Sequence, residues 1–222
     1  MRAVSVYLNK FKCALTEFGQ CERGLALIEF AFSVAILMLL LFGGIEVSRY
    51  VLIFQKLQIT VNNESNLITA IDPQHDPAMT KSEMDSIITA AKIMMAPYAL
   101  DTTNSTLILT DIYAPVTSGL GNNPGSPVVK WRYCGPGTLG TSKLGAVGKA
   151  ATLKSLPNNF TMSEGDEIVA AELYYKFNPI VKNGITSKVV PFDKTVYNVA
   201  ISVPRYSSLV SLLTTAGGSN CK

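Results

Sequence analysis

One histidine, four cysteines and no run of more than two basic residues mark this chain of 222 residues. Each scarcity removes a class of function. Nucleic-acid binding needs Lys and Arg clustered on one face, whereas here a net charge of +3 is scattered along the chain. His75, in the proline-bounded turn "DPQHDP", has Asp72 and Asp76 close by. A metal site needs three or four convergent ligands, so this reads as a loop histidine. A hydrolytic triad would have to use the same side chain. The spacings His-Glu-x-x-His, Cys-x-x-Cys and Gly-x-Ser-x-Gly are all missing. "GTLGTSKLGAVGKAA" fails as a Walker loop, because Lys143 stands where its first glycine belongs and Ala150 where its hydroxyl belongs. The expectation is a protein with no enzymatic activity, no metal, no cofactor and no nucleic-acid partner.

Charge is sparse too, at 16% of residues, and one stretch almost lacks it. Leu25 to Ile45 holds a single charged residue, Glu29. As a helix this stretch spans ~31 Å, the thickness of a hydrocarbon core. A secretory signal has a shorter apolar region, of about 7–15 residues. The preceding segment carries Arg2, Lys10, Lys12 and Arg23 against Glu17 and Glu22. Short basic flanks stay cytoplasmic, so the N-terminus is expected inside and everything beyond about Ile45 outside. Cys13 and Cys21 would then sit in a reducing compartment, and Cys134 and Cys221 in an oxidising one. A Cys134–Cys221 bridge would close a long loop and stabilise by roughly 4 kcal/mol in the chain-entropy picture; two free thiols are the alternative.

Glu29 is the anomaly in the apolar stretch. A carboxylate at the centre of a membrane helix costs roughly 2.5–3.5 kcal/mol on insertion scales, and less near the end, where it can snorkel. Its neighbours suggest more than snorkelling. "RGLALIEF" resembles the recognition site of type IV prepilin peptidases: Gly24, four mostly apolar residues, Glu29, then the aromatic Phe30. The resemblance implies cleavage between Gly24 and Leu25, which discards the basic leader and keeps the anchor. The new Leu25 amine and the Glu29 carboxylate could then offset each other's desolvation in low dielectric.

The longer stretch "GLALIEFAFSVAILMLLLFGGIEVSRY" resembles the N-terminal region of TadE-like proteins, the pseudopilins or minor pilins of the tight-adherence (Tad, Flp-type) pilus system. It departs from many of them in lacking a proline several residues after the glutamate, so any kink that proline makes is expected to be absent here. Glu46 and Arg49, three residues apart just past the membrane, are candidates for assembly contacts, with an exposed ion pair as the alternative. "VAAELYYKFNPI" and "VAISVPRYSS" loosely resemble the closing strands of the family, through Glu172, Tyr174, Pro179, Pro204 and Arg205. The resemblance implies three parts: a cleaved cytoplasmic leader (1–24), a transmembrane helix (25–45) and a periplasmic α+β domain (46–222). It implies a prepilin peptidase, other minor pilins, Tad inner-membrane assembly proteins and the bilayer as partners. An uncleaved, single-pass binding or sensor module is the competing reading.

Beyond the membrane, Tyr50, Ile53, Phe54, Leu57, Val61, Ile68 and Ile71 follow three-and-four spacing, so the helix is expected to continue to Asp72-Pro73, with a break near Asn62-Asn63 as the alternative. "TKSE" reads as a capping box opening a second helix at Thr80, with Met84, Ile87, Ile88, Ala91 and Met95 on its buried face and Pro97 closing it. "STLILTDIYA", "PVVKWRYC", "DEIVAAELYYKF" and "KTVYNVAISV" read as strands. "TSKVV" is a shorter pairing candidate. The expected fold is pilin-like α+β, an antiparallel sheet of about four strands packed on helix. Residues 135–165, rich in Gly, Ser, Thr, Lys and Asn, read as a long surface excursion open to partner contacts.

Overall fold

The computed structural model describes residues 22–72, 80–116, 126–156, 160–180, 195–206 and 209. The chain divides into two compact units, 1–48 and Arg49–Lys222. Helix α1 spans Glu22–Thr69 without a break and passes straight through Asn62 and Asn63. Helix α2 covers Lys81–Met95. Four strands follow: β1 Ser105–Tyr113, β2 Val128–Pro136, β3 Glu167–Lys176 and β4 Thr195–Ser202. They form one antiparallel sheet in the order β2-β1-β3-β4. The fold is α+β, as the strand and helix patterns anticipated. "TSKVV" and His75 lie outside the described residues.

The part of α1 in the second unit buries Ile53, Leu57, Val61 and Ile68, the stripe read from spacing. Phe54 departs from it and is 42% exposed. The buried face instead takes in Thr60, Glu64, Ser65 and Thr69, polar residues that hydrophobic spacing passes over. Ser65 exchanges a hydrogen bond with Ser202 of β4 at 2.9 Å, and the Arg205 backbone N–H donates to the Thr69 carbonyl at 3.0 Å, supplying a partner for an end carbonyl of the helix.

Helix α2 starts as its sequence specifies. The Glu83 backbone N–H donates to the Thr80 hydroxyl and the Thr80 N–H to the Glu83 carboxylate, at 3.3 and 2.6 Å. These reciprocal bonds satisfy two otherwise orphaned donors and hold the Glu83 carboxyl below its ordinary range. The helix buries Met84, Ile87, Ile88, Ala91 and Met95. The Tyr133 hydroxyl donates to Asp85 at 2.5 Å, tying α2 to β2.

The central strands β1 and β3 are buried along nearly their whole length, while β2 alternates. Both faces of the sheet are therefore covered. Leu107, Leu109, Val169 and Ala171 join the helices in one cluster. Ile112, Val129, Ile168 and Ala170 form a second cluster on the opposite face with Leu144, Leu156 and Met162. Those last three come from the 135–165 segment. It is not an open surface excursion: its apolar residues close the second layer of the core.

Candidate functional site

The residues singled out for processing lie in the first turns of α1. Helix geometry begins at Glu22, so the Gly24–Leu25 bond falls inside the opening turn. The first four N–H groups of a helix have no intrahelical acceptor, and such ends fray readily. Glu29 and Phe30 are exposed, Phe30 by 67%.

The apolar residues of this unit point outward on every side. Leu27, Phe32, Ile36 and Leu40 are 61–70% exposed, and the most apolar window of α1 has mean hydropathy 2.4 with none of it buried in the protein. A helix apolar all round needs an apolar medium. By length and composition, α1 is the one described helix able to cross a membrane.

Glu46 and Arg49 are not an exposed pair. Glu46 is buried, and Arg49 is half-buried with its guanidinium 5.7 Å from the Phe177 ring centroid. Tyr50 meets the same ring edge-on, with centroids 5.6 Å apart. Arg49 thus joins a cation–aromatic cluster just after the apolar stretch. Cys134, on β2, is disulfide-bonded. Cys13, Cys21 and Cys221 all lie outside the described residues, so its partner does too. Among the described residues no three His, Cys, Asp or Glu side chains gather in a way that could hold a metal.

Pattern reading missed a buried polar hub on the second face of the sheet. Glu172 is fully buried, and its carboxylate accepts from the Lys143 backbone N–H and the Tyr197 hydroxyl, both at 3.0 Å, and from the Ser142 hydroxyl. Arg132 lies near enough for its charge to act on Glu172, and its Nη2 donates to the Gly145 carbonyl at 2.6 Å. Lys143 Nζ sits 3.6 Å from the Tyr197 ring centroid. Glu172 therefore pins the 142–145 segment to the sheet. The Tyr174 hydroxyl extends this hold by donating to the Thr141 carbonyl at 2.7 Å. Gly140 lies so close to the Tyr174 ring that a Cβ there would fall 2.6 Å from it. The signal available in the sequence was a lone charge inside the apolar run "VAAELYY": a strand buried on both faces carries a carboxylate only where donors meet it.

Together these features define a class: an α+β domain carried on a single helix apolar enough to cross a membrane, with its anomalous carboxylate near the start. Residues 24–62 match the family model described as TadE-like protein. Through that segment the chain is similar to TadE-like proteins. No curated protein and no solved structure matches it.

Proposed function

We propose that this protein is a minor pilin or pseudopilin of a Tad-type pilus, trimmed by a prepilin peptidase between Gly24 and Leu25. In this reading the leader lies in the cytoplasm, residues 25–45 cross the bacterial inner membrane, and the domain from residue 46 lies in the periplasm. Its role is structural rather than enzymatic. Other minor pilins and Tad inner-membrane assembly proteins are its partners.

The observation that carries this reading is Glu29: the only charge between Leu25 and Ile45, five residues after Gly24, within the TadE-like segment. Trimming would leave an ammonium on Leu25 at the membrane edge. In a low-dielectric setting that ammonium and the Glu29 carboxylate compensate one another, while either alone is costly. Because Glu29 is exposed, the amine of the same chain or that of a neighbouring subunit can serve. The test is complementation of a deletion strain in which the subunit is required for piliation. A Glu29→Gln chain, still membrane-inserted, should lose most surface fibres; wild-type piliation by Glu29→Gln would defeat the electrostatic reading.

A further inference from the structure

Two buried carboxyls sit side by side at one end of the sheet, on the face turned toward the helices. Asp111 of β1 has no exposure, and Glu167 of β3 has 7%. Strand register sets Asp111 opposite Val169, two residues along from Glu167. The two side chains are within hydrogen-bonding reach of each other, and apart from the weak influence of the Ile112 backbone N–H neither Asp111 oxygen has a donor in good hydrogen-bond geometry. Two ionised carboxylates in that position would repel in low dielectric, with both Asp111 oxygens left unsatisfied. One proton shared between them removes both costs.

The pair does more than sit in the core. Glu167 Oε1 accepts from the backbone N–H of Leu209 at 2.6 Å, and the Leu209 carbonyl accepts from Trp131 Nε1 at 2.9 Å. Leu209 itself is fully buried in the helix-side cluster. Both backbone groups of one residue in the C-terminal stretch are thus clamped between β3 and β2. Asp111 lies opposite Trp131 in the β1–β2 register, so the acid pair and the clamp are contiguous.

We infer that the Asp111–Glu167 pair is a proton-operated latch: with a proton shared between the two carboxyls Leu209 stays docked on the sheet, and loss of that proton releases it. Burial, first, and the negative charge of Glu167, second, push the Asp111 carboxyl up to about 8, against the smaller opposing pull of Lys130. Lys130, the residue at the register shift of β2, and Glu167 are the charges that act on Asp111. The folded value lies above the unfolded one, so the folded state holds the extra proton. The associated stability is fully present below the unfolded value of 3.8 and is lost as pH rises through about 8. The latch is shut in acid and near neutrality and opens in mild alkali.

The chain has a single tryptophan, so Trp131 is a built-in reporter of the clamp. Emission of the full chain in detergent micelles is followed from pH 6 to 9.5. Wild type should show one red-shifting transition with its midpoint near pH 8. Asp111→Asn, whose amide can donate permanently to Glu167, should abolish the transition and keep the blue-shifted emission at pH 9. Glu167→Gln serves the same purpose should Asp111→Asn fold poorly, because its amide donates to Asp111 while its carbonyl still accepts from Leu209. Glu64→Gln, which alters the other buried unpartnered carboxyl, on α1, should retain the wild-type transition. The latch is refuted by a flat wild-type titration, by a transition that survives in the asparagine or glutamine latch variant, or by one that disappears only in Glu64→Gln.

Discussion

The two parts of α1 obey opposite rules although no break separates them. From Leu27 to Phe42 its large apolar side chains are exposed on every side, whereas from Ile53 to Ile68 they are confined to one buried stripe. The first pattern has no inside within the protein, and an apolar surrounding such as lipid gives it one. The second is the ordinary bargain of a helix on a sheet. Charge follows the same division. Glu29 is exposed in a stretch with no other charge, and Glu64 is buried with both oxygens unpartnered. One helix therefore serves as a membrane element and as a wall of the domain core.

That contrast can be broken experimentally, and the largest effect belongs to the membrane part. Gly24→Trp should abolish trimming altogether, seen as a single untrimmed species in membrane fractions on a gel. A normal trimmed band from this variant would remove the processing role from Gly24. Next comes packing. Leu57→Ala, in the buried stripe, should lower unfolding stability by about 3 kcal/mol, measured by urea titration in micelles. Leu37→Ala, 61% exposed in the apolar part, should change it by less than about 0.5 kcal/mol. Equal effects would erase the distinction between the two parts.

A smaller effect is expected at the polar hub. Glu172→Gln keeps the shape but loses the charge and mismatches one of three donors, at a cost of about 2 kcal/mol. Protease cutting within 139–145 should rise in parallel, because Glu172 holds that segment. Stability loss without new cleavage would mean that the hub supports the sheet alone. Smallest is Arg49→Ala, which removes the guanidinium from over Phe177 and should cost roughly 0.5–1 kcal/mol. A change of several kcal/mol there would indicate a larger role at the start of the domain.

Much of this architecture was legible before any coordinates. β1, β3 and β4 fall within the segments marked by β-branched and aromatic residues, β2 overruns its segment by two residues to Pro136, and α2 opens at its capping box and buries the five residues its spacing selected. These features are local, and local patterns are what sequence carries openly. The cover of the second sheet face was not legible. Leu144, Leu156 and Met162 are isolated among small and polar residues, and their burial depends on contacts with β1 and β3 across the fold. Phe54 misled because a residue at the stripe's edge has the right spacing and the wrong direction. Buried Asp111, Glu167 and Glu172 escaped for a different reason: a charged residue is ordinarily assigned to solvent, and only the runs "LILTDIY" and "VAAELYY", apolar on both sides of the charge, hint otherwise. At the candidate site Gly24, Leu25, Glu29 and Phe30 were recognisable as a motif. Arg49's stacking on Phe177 was not, since the two residues lie far apart in the chain.

The whole account turns on which N-terminus the mature chain carries. Intact mass spectrometry of the protein extracted from membranes of a strain expressing it from its own start codon reads this directly. A mass lower than full length by residues 1–24, with Leu25 as the first residue, is the predicted result. A full-length chain in a fibre-bearing strain would contradict it and leave an uncleaved anchored module in its place.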